Sequence, residues 1–173
     1  MSDNSKVSMF REQIKRASQT LHDTMDGVTS EVAHQDPGGT ANSIAATIAH
    51  TVTSTDGIIN AMLKGEAPVG MGMPSGLSAP PPTGEGLFNW YDWGRDLTVD
   101  LDVFRTYAMK VFESADDYLS TLTDADLENT IPSPAGGEMQ VFDLVNIALA
   151  NISWHTGEIA ALKGVQGLKG YKQ

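Results

Sequence analysis

Asn151 and His155 stand one turn apart in a segment whose neighbouring inward positions, Val141, Leu144, Ala148, Ile152, Ile159 and Leu162, are all apolar. Polar side chains at i, i+4 on one helix face can meet a common atom. A buried polar group without a partner costs about 1 to 3 kcal/mol, so this pair needs one. The same spacing serves metal pairs, because ligand atoms one turn apart converge on a single ion. His50 is the only histidine in the middle of another strongly patterned helix. Two arrangements fit these residues. In one, the two imidazoles satisfy each other, Asn151 or Thr53 in a metal-free core. In the other, two helices supply a metal or ligand site, as bundle interiors do. Glu158, close behind His155, either orients that imidazole and moves a proton or is an exposed charge near a helix end. His22 borders an apolar stripe and is expected to keep a solvent-facing edge, although it could reach the same cavity. His34 is expected in a loop, solvated.

Four helical segments must position these groups. The first, about residues 6–26, repeats Val7, Phe10, Ile14, Ala17, Leu21 and Met25 at spacings of three and four. The second starts among the N-cap residue types at 40–43 and ends near 64–65. Its stripe is Ile44, Ile48, Val52, Ile59 and Met62, and the lack of charge between Ala41 and Thr55 implies burial of more than one face. Ala46, His50, Thr53 and Gly57 lie on a different face, where small residues let a neighbouring helix or a ligand come close. The third spans about 98–122, with a start that could reach back toward Trp93, and the fourth about 140–163. Residues 65–86 are a long loop in which three consecutive prolines and Gly-Met and Ser-Gly steps forbid a regular element. Its methionines and the following Phe88, Trp90, Tyr91 and Trp93 either cover a pocket mouth or pack over the bundle end. No segment reads as a strand beyond an extended Ile131. The tail, about 164–173, is expected to lie loosely on the surface. The expected architecture is all-α, a four-helix bundle in a single domain over 1–173, with at least one crossover connection.

Composition narrows the chemistry. The chain has 173 residues and a formal charge of −11, from 11 Lys and Arg against 22 Asp and Glu. That balance argues against nucleic acid or an anionic membrane as partner. Cysteine is absent, which removes disulfides, thiolate metal sites and cysteine nucleophiles together. No phosphate loop, dinucleotide fingerprint or nucleophile elbow occurs. Asp100, Asp102, Asp116 and Asp117 read as solvated helix faces. Residues 1–8 are polar, without an apolar targeting stretch, and no apolar run is long enough for a membrane span. A cytoplasmic location is the expectation.

Two motifs carry a family likeness. Trp154-His155-Thr156-Gly157-Glu158-Ile159 resembles the fourth-helix signature of the DinB/YfiT-like superfamily, and Ser43-Ile44-Ala45-Ala46-Thr47-Ile48-Ala49-His50 resembles its second-helix motif. The resemblance spans nearly the whole chain. It implies a four-helix bundle holding a divalent metal, zinc or nickel, with His50, Asn151 and His155 at the ligand positions. It also implies a homodimer and a low-molecular-weight thiol as co-substrate, by likeness to thiol-dependent transferases and isomerases. The family usually has His, or Glu in isomerase-like members, where this chain has Asn151. An amide oxygen is a weaker zinc ligand than either. The sequence-based expectation is a metal-dependent enzyme that activates a cofactor thiol or water against a small substrate, with Glu158 assisting. The alternative is a metal-free bundle that binds a small ligand or serves as an interaction module.

Overall fold

The first apolar repeat folds as α1 (Ser5–Thr24), burying Val7, Phe10, Ile14 and Leu21, in a computed structural model that describes residues 4–82, 90–133 and 136–171. Both ends of α1 are held by distant side chains. Asp124 accepts hydrogen bonds from the amides of Lys6 and Val7 at 3.0 and 2.9 Å. The buried ammonium of Lys163 donates to the carbonyls of Thr24 and Asp26, placing positive charge at the negative end of the helix. Desolvation lowers the pKa of Lys163, and the nearby Asp26 partly opposes it.

A short α2 (Ser30–His34) follows, capped by the Thr29 hydroxyl. It contains His34, which the sequence reading placed in a loop. α3 (Ile44–Asp56) begins where the Ser43 hydroxyl accepts from the Ala46 amide at 3.2 Å. Nearly every residue of α3 is buried, as its lack of charge requires. The helix then widens into a π-helical stretch, Gly57–Leu63.

The segment expected to be irregular contains a short α4 (Val69–Gly72) and an antiparallel bridge between Leu77 and Val99. Phe88 lies outside the described residues. Trp90 and its neighbours form a separate α5 (Trp90–Arg95) rather than an extension of the next helix. That helix, α6 (Leu101–Ser120), starts at Asp100, whose carboxylate accepts from the amides of Asp102 and Val103. Asp100 is exposed, as expected, and also serves as the helix cap. Asp116 is likewise engaged, taking two hydrogen bonds from the Arg11 guanidinium at 2.7 and 3.0 Å.

A 3-10 turn (Asp126–Glu128) leads to a hairpin of β1 (Thr130–Pro132) and β2 (Glu138–Gln140), paired antiparallel with Ile131 opposite Met139. α7 (Val141–Val165) completes the fold. It packs along α1 on one side and α3 on the other, and α6 lies against α1 and α3. The architecture is all-α apart from this hairpin. The tail is fitted rather than loose: a side chain at Gly170 would come within 2.8 Å of the Ala160 carbonyl oxygen. Among the described residues no helix is long and apolar enough to cross a membrane.

Candidate functional site

The α3–α7 contact brings His50, Asn151 and His155 together. Ala45, Ala46 and Ala49 on α3 and Ala148 on α7 are fully buried. The His50 and His155 rings lie edge to face, their centres 4.9 Å apart. The Asn151 amide nitrogen sits 3.2 Å from His50 Nε2. An amide N–H can only donate, so His50 Nε2 is the acceptor and its proton resides on Nδ1, 3.3 Å from the Ser54 hydroxyl. His155 Nδ1 lies 2.7 Å from a Glu158 carboxylate oxygen. With Glu158 accepting from Nδ1–H, the Nε2 lone pair of His155 is the one left for other partners. This carboxylate–imidazole pairing is the arrangement that fixes the tautomer of metal-binding histidines.

Burial, and secondarily the charge His155 can carry, push the pKa of His50 down to about 3. At neutral pH His50 is therefore an uncharged lone-pair donor. The Asn151 carbonyl oxygen is buried and accepts no hydrogen bond among the described residues. This acceptor lies beside the neutral His50 imidazole and one turn from His155. The Glu158 side chain is 37% exposed, so it reaches water while holding the ring.

The indole of Trp90 stacks on His50 with ring centres 4.2 Å apart and planes 18° from parallel. It also meets His155 edge-on at 5.4 Å. α5 can lie this close because Gly94 faces Ala46, where a side chain would come within 2.9 Å of the alanine methyl. The aromatic run was legible as either a cover or simple packing, and Trp90 covers a face of His50. Its individual role carried no sequence signal, since no periodicity ties residue 90 to residue 50. Ser54, four residues after His50, could have been inferred from the i, i+4 rule.

The other two histidines lie elsewhere. His22 is exposed beside Asp23 and lines a separate groove. His34, expected to be solvated, is half-buried: Nδ1 donates to the Ser30 carbonyl at 2.7 Å and Nε2 accepts from the Val99 amide at 2.9 Å. It is a structural tie between α2 and the segment before α6. Thr53, offered as a partner for the histidines, instead donates to the Ala49 carbonyl at 2.8 Å.

Among the described residues no three His, Cys, Asp or Glu side chains gather as a metal site. A cation held by three protein side chains here would need Asn151 as the third. Two imidazoles and an amide oxygen would meet such an ion once the Asn151 amide turned its oxygen toward the His50 nitrogen to which it now donates. That donor set is poorer than a three-imidazole set in the softness zinc prefers.

An all-α bundle that brings two imidazoles and an amide together across α3 and α7 is the class defined by this fold and site. The sequence profile of the DinB superfamily matches residues 13–159, and the chain belongs to that superfamily. A crystal structure of a conserved protein from Enterococcus faecalis has the same fold, with a TM-score of 0.76 at 17% identity over 95% of this chain and 97% of that one. No curated protein matches the sequence.

Proposed function

We propose that His50, Asn151 and His155 hold a divalent metal, zinc or nickel, in an enzyme that activates a cofactor thiol or water against a small electrophilic substrate. The observation that carries this reading is the buried Asn151 oxygen, which has no hydrogen-bond donor among the described residues and belongs to the amide bonded to His50 Nε2, with His155 one turn away. A buried acceptor left in this state costs about 1 to 3 kcal/mol, which a bound cation would recover. When bound, such an ion lowers the pKa of a coordinated thiol or water and supplies the nucleophile at neutral pH.

The chain's own contributions follow from the site. Glu158 holds the His155 proton on Nδ1 and can relay it to solvent through its exposed edge. Trp90 covers one face of His50 and keeps water from it. Burial keeps His50 neutral through the physiological range. With no cysteine in the chain, any sulfur nucleophile comes from a soluble thiol. Metal identity at such a site follows availability as well as affinity, which leaves zinc and nickel both open.

The test is elemental analysis of protein stripped with chelator and reloaded with zinc or nickel, with His50→Ala and His155→Ala alongside. One ion per chain in the wild type, lost in both variants while circular dichroism stays helical, supports the reading. A wild type that takes up neither metal rejects it. The Asn151 amide already bonded to His50 favours a second reading, a metal-free pocket for a small ligand, and that result would select it.

A further inference from the structure

A second cavity lies on the opposite side of α3. Ile48 and Val52 point into it, whereas His50, between them in sequence, points toward α7. It is a groove of about 610 Å³ between α1 and α6, within the size range of small-molecule sites. Leu21, Phe104, Ala108 and Phe112 continue its apolar lining.

The two helices run antiparallel, and the Arg11–Asp116 pair bridges them at one end. At the other end His22 on α1 and Arg105 on α6 line opposite walls. Eleven residues separate Arg105 from Asp116, so the groove runs about 16 Å at the helical rise. Charge of both signs lines the bridged end, where Arg11 and Lys15 stand with the acidic residues. Glu113, Asp116 and Asp117 collect at the bridged end, where Asp116 is held by Arg11 and Glu113 by Lys110. The open end has the guanidinium of Arg105, which makes no ion pair among the described residues. In a chain of formal charge −11, an unmatched cation at the mouth of an apolar slot is a specific feature.

The geometry points to this groove as a binding site for an unbranched amphipathic carboxylate, a medium-chain fatty acid in its chemistry. The acyl chain lies along Leu21, Phe104, Ala108 and Phe112, and the carboxylate meets Arg105 at the open end. Arg is suited to that role because its planar donors take a carboxylate in pairs. The site shares no residue with the His50 cluster, so the two stand or fall separately.

The test is calorimetric titration of the full chain with dodecanoate below its micelle concentration, with dodecyltrimethylammonium as the cationic control of equal tail. Dodecanoate is expected to bind one per chain, at least about tenfold tighter than the ammonium compound. Arg105→Glu, on the exposed rim, should weaken dodecanoate at least about tenfold and reverse that preference. Ala108→Trp, which fills the groove, should abolish binding of both, its folding checked by circular dichroism. Should Ala108→Trp fail to fold, the Arg105→Glu reversal decides alone. The inference is overturned by no saturable binding, by several ligands per chain with no response to Arg105→Glu, or by a folded Ala108→Trp that binds normally. It is equally overturned if sedimentation shows that Ala108→Trp breaks a dimer, since a second copy would then be the occupant.

Discussion

Two buried polar clusters lie less than two turns apart on α3, and they are built on opposite plans. At Asp56 every acceptor is filled from within the chain. One oxygen accepts from the Asn60 amide and the Val69 backbone N–H at 2.8 and 2.9 Å. The other accepts from the Gly70 N–H at 3.1 Å and the Tyr107 hydroxyl at 2.9 Å. Burial, and then the facing Asp56 charge, push the Tyr107 phenol well above its ordinary range, so it stays a donor. Beside His50 the count does not close: Asn151 donates to the ring, but its own oxygen has no donor among the described residues. A closed cluster fixes structure and has nothing left to offer. An open one keeps atoms available for something that is not protein, and this contrast separates the fold's anchor from its candidate site.

The contrast breaks most visibly at its closed end. Asp56→Ala leaves four donors without an acceptor, and urea unfolding should show a loss of about 4 kcal/mol, with metal uptake per folded chain unchanged. A smaller loss in stability would mean that Asp56 is not the anchor.

The open end should respond to acid. His50 stays neutral in the folded chain down to about pH 3, while in the unfolded chain it takes up a proton near 6.5. The unfolded state therefore binds more protons throughout that window, and stability falls as pH falls through it. In metal-free protein the His50 contribution between pH 7 and pH 5 should be about 2 kcal/mol. The measurement is the difference in that slope between wild type and His50→Phe, and equal slopes would remove the assigned burial effect.

Asn151→His sharpens the comparison by supplying the missing nitrogen. Competition with a chromogenic chelator should show zinc affinity raised about tenfold, equivalent to about 1.4 kcal/mol. No gain would mean that the amide position does not face the ion. Ser54→Ala is the smallest change. It removes the acceptor for His50 Nδ1–H and should cost under about 1 kcal/mol in thermal unfolding, with at most a few-fold effect on metal affinity.

Much of this arrangement was legible in the sequence because it rests on helical spacing. The four long helices announce themselves through repeats such as Val7, Phe10 and Ile14, and Asn151 with His155 stands out because polar residues interrupt an otherwise apolar stripe. Asp56 did not stand out, although it is nearly inaccessible at 1% exposure. Two of its partners are backbone amides of α4, and backbone donors leave no mark on residue identity. Trp90 was visible as an aromatic but not as a cover for His50, because a loop sets its approach. Arg11 and Asp116 sit on helices far apart in sequence, so their pairing depends on tertiary register that neither local pattern encodes.

The π-helical stretch Gly57–Leu63 bears on how this chain tolerates change in length. A wide turn accommodates an extra residue within a helix. Removing one residue from it would let the helix rewind regularly, because the wide turn already absorbs the rotation of about 100° that one extra residue adds. Asn60, which accepts from the Ser114 hydroxyl at 2.6 Å, and the Leu63 carbonyl, which accepts from Tyr118 at 3.0 Å, depend on the present phase. The stretch thus acts as a slack turn that keeps two halves of one continuous helix in phase. A single deletion within it could leave both halves seated, whereas the same deletion inside α3 would turn one half about 100° away from its partner helix.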